Sequence, residues 1–407
     1  SVIYLNYGSL FQEMGDKEKA SFYYKVSKEL NPKNPNIYNN FGTLEGEFGN
    51  VKKAAFYYRE ALDIDPSHFS AFRHLCLTGE LDSEEILIKK MENEYNKLDI
   101  PLEGKVDIGF GLGYIKEKFQ EYDLSFSYIK KANDLQRSTF NYDLDSIEKN
   151  IVDVILNSYS EKKSSITYSF RPIFIVGMPR SGTTMIERVI SNNKDVTPLG
   201  ELPIISNIIN NFSKKNLTFP NTMPYLDVDD YTKMGSDYID RCKGISSDIK
   251  SFITDKMPYN FLYIGIIKNA FPNCKIIYTN RDPLDNCFSL YMLKLTGDHY
   301  YSYDLNELRK FYIIKKKIMN RWLSIFGDEI YQLNYESFVK NPVKETKKLF
   351  SYCDLEYKEN DERFDLNNQN VRTASNHQVR KKLNSKSIGR WKNYQKHLEP
   401  FFRELID

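Results

Sequence analysis

The stretch that decides the fold is Ile173-Phe-Ile-Val176, which runs directly into Gly177-Met-Pro-Arg-Ser-Gly182-Thr183-Thr184. Four consecutive apolar residues predict a buried strand, and the periodic apolar residues from Thr184 to Ile190 predict a helix. Two glycines five residues apart allow the main chain to curl so that its N–H groups point inward at an anion. The following helix terminus adds unpaired donors and a favourable dipole. The stretch therefore predicts a phosphate-binding loop.

One position separates this loop from the pattern GxxxxGK[ST] of nucleotide triphosphatases. Thr183 occupies the place of the lysine that reaches the terminal phosphates, and Arg180 lies inside the loop. A triphosphate bound with magnesium is thereby disfavoured. The loop suits a more compact anion that carries fewer charges.

Further apolar runs at 275–278 and 330–333 predict two more strands, with helical stretches at 260–271, 283–295 and 305–326 between them. Strands that alternate with helices imply a parallel sheet covered on both faces. The sequence thus predicts an α/β domain with a central parallel sheet over residues 168–407. A helix and a Ser/Lys-rich linker are expected to precede it over 136–167.

The N-terminal part superposes on itself when it is shifted by 34 residues. Gly8 then falls on Gly42, and Ala20 and Tyr24 fall on Ala54 and Tyr58. The period and the residue identities resemble the tetratricopeptide repeat, a pair of packed helices. We expect a helical repeat solenoid over 1–135, with clear units at 1–34 and 35–68, a degenerate unit around 109–135 and an eroded one near 71–105.

Composition narrows the class of protein. Among 407 residues, 57 Lys and Arg balance 55 Asp and Glu, which argues against a nucleic-acid coat or a mostly disordered chain. No apolar run is long enough to span a bilayer, and no secretory leader opens the chain, so we expect a cytoplasmic protein. Its five cysteines lie far apart, a pattern typical of a reducing compartment. The first residue is Ser1 rather than Met, as expected of a chain that lacks an upstream segment.

The segment Pro-Arg-Ser-Gly-Thr-Thr after an apolar strand resembles the 5′-phosphosulfate loop of sulfotransferases, which use 3′-phosphoadenosine 5′-phosphosulfate (PAPS). The tyrosylprotein sulfotransferases are the most similar subfamily. The resemblance implies a P-loop-like fold, PAPS as the sulfuryl donor and no metal. It also implies that the 5′-phosphate is bound by a set of loop residues, namely Arg180, Ser181, Gly182, Thr183 and Thr184.

Three further motifs extend the resemblance to the rest of the nucleotide. Arg281 and Ser289, eight residues apart after the second strand, match the family's clamp on the 3′-phosphate. Tyr335 matches a tyrosine that reaches the nucleotide. Arg390 directly precedes a tryptophan, where the tyrosylprotein enzymes have a nucleotide-binding lysine.

The resemblance also suggests catalytic residues. Lys256 matches the lysine that stabilises the bridging oxygen in the transition state, and Ser375 matches a serine that shares this role. Glu201 follows Arg180 by 21 residues, the spacing of the catalytic glutamate in the tyrosylprotein enzymes. His299 is the alternative base, since other sulfotransferases use histidine. Pro203 replaces an arginine that grips acidic peptides in the animal enzymes, so peptide-tyrosine specificity does not follow.

Two other patterns have simpler interpretations. Gly109-Phe-Gly111-Leu-Gly113 begins like a dinucleotide-binding motif but falls inside a repeat helix, where close packing explains small residues. The lysines at 315–317 predict a solvated helix face. No cluster of His, Cys and Asp with metal-ligand spacing occurs.

The sequence therefore favours a PAPS-dependent sulfotransferase that acts on an acceptor hydroxyl of a peptide tyrosine, a sugar or a small alcohol and releases 3′-phosphoadenosine 5′-phosphate (PAP). Two alternatives stay open: a nucleotide-sensing repeat protein without turnover, and a small-molecule kinase or glycosyltransferase. The repeats are expected to bind the acceptor, such as a peptide or protein, or a partner subunit, or to form a homodimer. Nucleic acid is not an expected partner.

Overall fold

The computed structural model describes residues 1–82, 86–148, 152–246, 248–295, 297, 299–363 and 385–405. Ser375 lies outside these ranges.

The N-terminal part consists of helices joined by short turns, as the repeat predicted. Residues 2–34 and 35–68 form two helix pairs, and a further pair follows around 102–137. Between these pairs, the helix over 69–78 packs against both the second and the third pair. The helix over 86–95 packs on the third pair. The helices are α1 (Val2–Met14), α2 (Lys17–Leu30), α3 (Pro35–Glu47), α4 (Val51–Ile64), α5 (Phe69–Thr78), α6 (Ile86–Tyr95), α7 (Leu102–Lys118) and α8 (Tyr122–Arg137).

Small residues in the repeats lie where two helices approach closely. A Cβ atom added to Gly42 would lie 2.5 Å from the ring of Tyr58, and one added to Gly8 would lie 2.3 Å from the ring of Tyr24. In the degenerate unit, Ser125 stands where the first two units have Ala20 and Ala54. Its Oγ donates to the carbonyl of Gly113 over 2.8 Å. The periodic glycines are therefore a packing requirement.

The glycines of α7 have the same explanation. A Cβ on Gly109 would lie 2.9 Å from Ala132, one on Gly111 would lie 2.7 Å from Phe72, and one on Gly113 would lie 2.5 Å from Ile129. All three face neighbouring helices. The resemblance to a dinucleotide-binding loop is thus accidental.

After the repeats, two short helices occupy the region where the sequence predicted a helix and a linker: α9 (Leu144–Ile147) and α10 (Asp153–Ser158). The linker that follows packs on the α/β domain, because Ser164 N donates to the carbonyl of Asn269 over 2.8 Å. The linker is therefore part of the folded core and does not simply connect two bodies.

The α/β domain contains a five-stranded sheet with strand order β2-β3-β1-β4-β5, in which every pairing is parallel. The three strands expected from apolar runs are β1, β4 and β5. The other two were missed because each is three or four residues long. The strands are β1 (Arg171–Gly177), β2 (Val196–Pro198), β3 (Phe252–Asp255), β4 (Lys275–Asn280) and β5 (Ile330–Asn334).

Helices cover both faces of this sheet, so β1 is fully buried from Pro172 to Gly177. The longest of these helices covers residues 305–326, the bounds that the sequence predicted. The helices are α11 (Thr183–Ile190), α12 (Ile204–Asn210), α13 (Val228–Ile245), α14 (Ile264–Ala270), α15 (Pro283–Tyr291), α16 (Leu305–Phe326), α17 (Tyr335–Lys340), α18 (Pro342–Tyr352) and α19 (Gln395–Phe402).

One expectation on α16 was wrong. Lys315 does not lie on a solvated face: it is 2% exposed, and its Nζ donates to the hydroxyl of Tyr278 over 3.0 Å. Burial lowers the pKa of this lysine to about 8. Its neighbours Lys316 and Lys317 are exposed, as expected.

The repeats and the α/β domain share one hydrophobic core. Phe126 and Ile129 of α8 belong to the same buried cluster as Phe288 and Tyr394 of the α/β domain. The hydroxyl of Tyr394 lies 3.0 Å from Ser125 Oγ, and Asn133 Nδ2 donates to the carbonyl of Tyr291 over 2.9 Å. This contact fixes the repeats beside the carboxyl ends of the strands.

Within the part of the chain that the structure describes, no helix combines the length and the apolar character needed to cross a membrane.

The close packing in the repeats predicts that a glycine substitution there destabilises the protein, whereas one at an open helix position does not. Gly42→Ala forces a methyl group into the buried Tyr58 ring and is expected to cost about 1–3 kcal/mol of stability. Gly244→Ala, in α13, meets nothing within 4 Å and should be neutral or stabilise by up to about 1 kcal/mol. Thermal unfolding of the two variants tests this, and equal midpoints would contradict the packing account.

Candidate active site

The phosphate loop joins β1 to α11 at the carboxyl edge of the sheet, and its backbone is strongly curled. Gly177, Arg180 and Gly182 have φ angles of +153°, +69° and +102°. A Cβ on Gly177 would lie 2.6 Å from the carbonyl oxygen of Thr279, so only glycine fits there. A non-glycine residue with positive φ is uncommon, and such strain is concentrated at functional sites. Arg180 is therefore held in a conformation that the surrounding structure imposes.

Ser181 holds the loop against the sheet. Its Oγ donates to the carbonyl of Met178 over 2.7 Å and lies 2.6 Å from Thr279 Oγ1 on β4. The hydroxyl is therefore occupied inside the fold. Thr183 and Thr184, by contrast, begin α11 and line an open cleft.

Three guanidiniums lie together behind this loop. Arg180 Nε donates to Ser289 Oγ on α15 over 3.1 Å, and Arg281 Nη1 donates to the carbonyl of Arg180 over 3.0 Å. Burial, together with the charges of Arg281 and Arg390, lowers the pKa of Arg180 to about 9. These arginines, hereafter the arginine cluster (Arg180, Arg281 and Arg390), therefore form a region of positive charge in which Arg180 and Arg281 are buried and Arg390 is partly exposed.

Arg281 is fixed by the backbone and by an aromatic ring. Its Nη2 donates to the carbonyl of Ser387 over 2.6 Å, and its guanidinium carbon lies 4.9 Å from the centre of the Tyr335 ring. The Tyr335 hydroxyl lies 2.9 Å from Ser387 Oγ. Arg281 Nε is buried and has no hydrogen-bond partner among the described residues. A buried donor without a partner marks a place where a bound group can accept.

Arg390 links the cluster to the repeats. It forms a two-point ion pair with Glu117 at the end of α7, in which Nε donates to Oε1 over 2.6 Å. Burial alone would lower the pKa of Arg390, but the Glu117 carboxylate outweighs burial and raises it. The carboxylate thus keeps one member of the cluster charged.

A lysine and a glutamate meet at the end of β3. Lys256 Nζ lies 2.5 Å from Glu201 Oε1. The lysine side chain is 1% exposed, whereas that of Glu201 is 35% exposed and lines the cleft. The Lys256 amide donates to the carbonyl of Gly200 over 3.0 Å, which ties the two short segments together. The sequence motifs predicted both residues separately, and the fold brings them into contact.

Glu187 is a buried residue that the sequence analysis missed. Its Oε1 accepts from the amide of Gly200 over 3.0 Å and from Thr254 Oγ1 over 2.9 Å. Burial raises the pKa of its carboxyl group. Glu187 therefore positions the turn that carries Glu201. The available signal was an acidic residue, followed by Arg188, in the mostly apolar stretch from Met185 to Ile190.

His299 belongs to a short chain of polar groups on the other side of the cleft. Its Nδ1 lies 2.6 Å from the hydroxyl of Tyr259, which in turn lies 2.7 Å from that of Tyr301. His299 and Glu201 line the same cleft. The structure therefore leaves both expected bases beside one cavity.

The cleft has a volume of about 920 Å³ and two different walls. The α/β domain contributes the phosphate loop, Glu201, His299 and the stretch 257–259. The repeats contribute the other wall, which includes Ser9 and Thr43. The site is thus built between the two parts of the chain. Among the described residues, no group of three or more His, Cys, Asp or Glu side chains could hold a metal ion.

Comparison with known proteins agrees with both sequence motifs. Residues 172–359 match the model of the sulfotransferase family, and residues 2–34 and 35–68 match that of the tetratricopeptide repeat. A protein of Aquifex aeolicus (strain VF5) is 30% identical over 332 residues, which cover 78% of this chain and 44% of that protein. The chain thus spans less than half the length of this relative.

A second relative is the "Putative protein-tyrosine sulfotransferase" of Caenorhabditis briggsae, which is 22% identical over 54% of this chain and 80% of its own. Among solved structures, the sulfotransferase domain of the Synechococcus PCC 7002 olefin synthase is 15% identical and covers 57% of this chain and 91% of its own, with a TM-score of 0.41. Mouse sulfotransferase SULT7A1 complexed with PAP is 17% identical and covers 63% and 88%, with a TM-score of 0.38.

Proposed function

Residues 172–359 form a domain of the sulfotransferase family behind two tetratricopeptide repeats, and from this premise we propose that the protein transfers a sulfuryl group from PAPS to an acceptor hydroxyl and releases PAP. The observation that carries the proposal is the arginine cluster beside a phosphate loop without a lysine. Such a site offers separate places for two anionic groups, as a nucleotide phosphorylated at both ends of its ribose requires. Glu201, which lines the same cleft, and its buried partner Lys256 supply groups for the transfer.

The residues that would hold PAPS fit its two phosphate ends. The curled loop and the amides at the start of α11, with Thr183 and Thr184, suit the 5′-phosphosulfate. Arg281 and Ser289 suit the 3′-phosphate, because a guanidinium donates two parallel hydrogen bonds to phosphate oxygens. The partnerless Nε of Arg281 supports this role. Arg180, Arg390 and Tyr335 surround the same place.

PAPS would supply the activated sulfuryl group. The chain supplies a base, a cation and the side chains that position the two reactants. Glu201 accepts the proton of the acceptor hydroxyl while the acceptor oxygen bonds to sulfur. The bond between sulfur and the bridging oxygen breaks, and that oxygen keeps the electron pair on the phosphate of PAP. Lys256 stabilises the charge that develops there. Ser375 is proposed as a second donor to this oxygen, and His299 is the alternative base.

Two other functions are less well supported. A nucleotide-sensing protein without turnover has no need for a buried lysine in contact with a glutamate that lines the cleft. A kinase for small molecules would need the loop lysine, which is Thr183 in this chain.

The arginine cluster predicts a nucleotide preference. In calorimetry, the protein should bind PAP far more tightly than ADP or ATP, with or without magnesium. Arg281→Ala should weaken PAP binding about 10- to 100-fold, the range expected when a charged hydrogen-bond donor is lost. ADP binding should change little, because ADP has no 3′-phosphate.

The matched control is Arg241→Ala. Arg241 is an exposed arginine that pairs only with Asp237 on its own helix among the contacts described, and its loss should leave both affinities unchanged. Tighter binding of Mg·ATP than of PAP would contradict the proposed donor.

The position of Glu201 predicts separate effects on binding and transfer. Glu201→Gln keeps the shape of the side chain but cannot accept a proton, and transfer of labelled sulfate should fall about 10²- to 10⁴-fold. PAP affinity should stay within a few-fold. His299→Gln, measured in parallel, should retain more activity. If Glu201→Gln is fully active and His299→Gln is not, the base is His299.

A further inference from the structure

The carboxylate of Asp285 links α15 to the C-terminal segment of the chain. Asp285 lies in the first turn of the helix and is 2% exposed. Its Oδ2 accepts from the amide of Gly389 over 2.5 Å, and its Oδ1 accepts from the amide of Trp391 over 3.2 Å. The two carboxylate oxygens therefore hold the backbone on either side of Arg390.

These two amides are the contacts that explain why Asp285 is buried. Burying a carboxylate costs free energy unless hydrogen bonds or charges compensate it. Burial raises the pKa of Asp285, and the bonds from the two amides oppose this rise. Its carboxylate makes no other hydrogen bond within the described part of the chain, and it does not cap its own helix. Asp282 does so, because its Oδ1 accepts from the amide of Asp285 over 2.9 Å.

The position of Asp285 in the sequence places it beside the residues proposed to bind the 3′-phosphate. It follows Arg281 by four residues and precedes Ser289 by four residues. Residues four apart on a helix lie on the same face, so Asp285 and Ser289 share one face of α15. The anchor of the C-terminal segment and the proposed phosphate clamp are therefore carried by the same short stretch of chain.

The segment that Asp285 holds also orients Arg281. Arg281 Nη2 donates to the carbonyl of Ser387 over 2.6 Å, and Ser387 Oγ lies 2.9 Å from the hydroxyl of Tyr335. Because Nη1 donates to the carbonyl of Arg180, both terminal nitrogens of the planar guanidinium are fixed. The direction of its partnerless Nε thus depends on where residues 387–391 lie.

Arg390 depends on Asp285 in a second way. Its guanidinium is bound by Glu117 of α7 and lies 5.4 Å from the centre of the Phe288 ring. Its backbone is fixed on both sides by the bonds to Asp285. Glu117 therefore holds the tip of the side chain, and Asp285 holds its base.

We propose that Asp285 is a positioning residue for the nucleotide: it fixes residues 387–391 so that Arg281 and Arg390 face the 3′-phosphate of PAPS or PAP. This inference rests on the proposed sulfotransferase function. A carboxylate repels phosphate, so Asp285 acts through the segment and not by touching the nucleotide. An acid in the first turn of a helix also stabilises that helix. A purely stabilising role would lower the unfolding temperature without changing the preference between nucleotides.

The first test is calorimetry of Asp285→Asn with PAP and with ADP. Asparagine keeps the shape of the side chain but replaces one acceptor oxygen by an NH₂ group, which cannot accept from an amide. The affinity for PAP should fall about tenfold, the effect of losing one hydrogen bond to a charged group. The affinity for ADP, which has no 3′-phosphate, should change little. The preference for PAP over ADP therefore falls, a result that general destabilisation does not produce.

The matched control is Asp282→Asn. It removes the same charge three residues earlier, and asparagine caps a helix about as well as aspartate, so both affinities should stay unchanged. An equal loss of PAP affinity in the two variants, or a folded Asp285→Asn protein with the wild-type preference, overturns the inference. If the wild-type protein itself does not prefer PAP to ADP, the proposed function fails instead.

The second test follows hydrogen exchange of the backbone amides of residues 387–391 in the full chain. In the wild-type protein the amides of Gly389 and Trp391 should be protected, and PAP should strengthen this protection. Asp285→Asn should speed their exchange about tenfold, and Asp282→Asn should not.

Thermal unfolding shows whether each variant is folded, and the wild-type measurement decides if Asp285→Asn is not. Fast exchange of these two amides, or protection that PAP leaves unchanged, shows that Asp285 does not position the segment for the nucleotide and overturns the inference.

Discussion

The burial of positive charge behind the phosphate loop is the constraint on which the site depends. Arg180 and Arg281 are buried, and Arg390 beside them is partly exposed. Burial, followed by the charges of Arg281 and Arg390, lowers the pKa of Arg180 to about 9. The fold compensates this charge only in part, through the carbonyls of Arg180 and Ser387 and through the carboxylate of Glu117. An anion whose oxygens face the cluster would complete the compensation. Positive charge behind the loop would then take the place of the lysine that the loop lacks.

The repeats take part in this arrangement and are not a separate appendage. Glu117, which stabilises the charge of Arg390, is at the end of a repeat helix, and Ser125 of the next helix bonds to Tyr394 beside it. The same set of helices forms the polar wall of the cleft. A single packing arrangement therefore positions both Arg390 and the repeat wall of the cleft relative to the phosphate loop. A change in how the repeats sit would alter both.

The sequence predicted the repeats, the phosphate loop and the central strands because each has a local pattern: a 34-residue period, spaced glycines or an unbroken apolar run. Two strands were not predicted because they are too short to show a local pattern. Lys315 was placed on the surface because the run of lysines hides its contact with Tyr278, which is distant in sequence. Glu187 and Glu117 were missed for the same reason: their partners, Gly200 and Arg390, come from other elements. The roles of the individual site residues stay predictions.

The most direct test of the central claim is a crystal structure of the protein with PAP. We expect the 3′-phosphate within hydrogen-bond distance of Arg281 and Ser289, and the 5′-phosphate inside the loop from Gly177 to Thr184. The unpaired Nε of Arg281 should then gain an acceptor. A structure in which PAP lies elsewhere, or in which the loop accepts Mg·ATP in its place, would contradict the account.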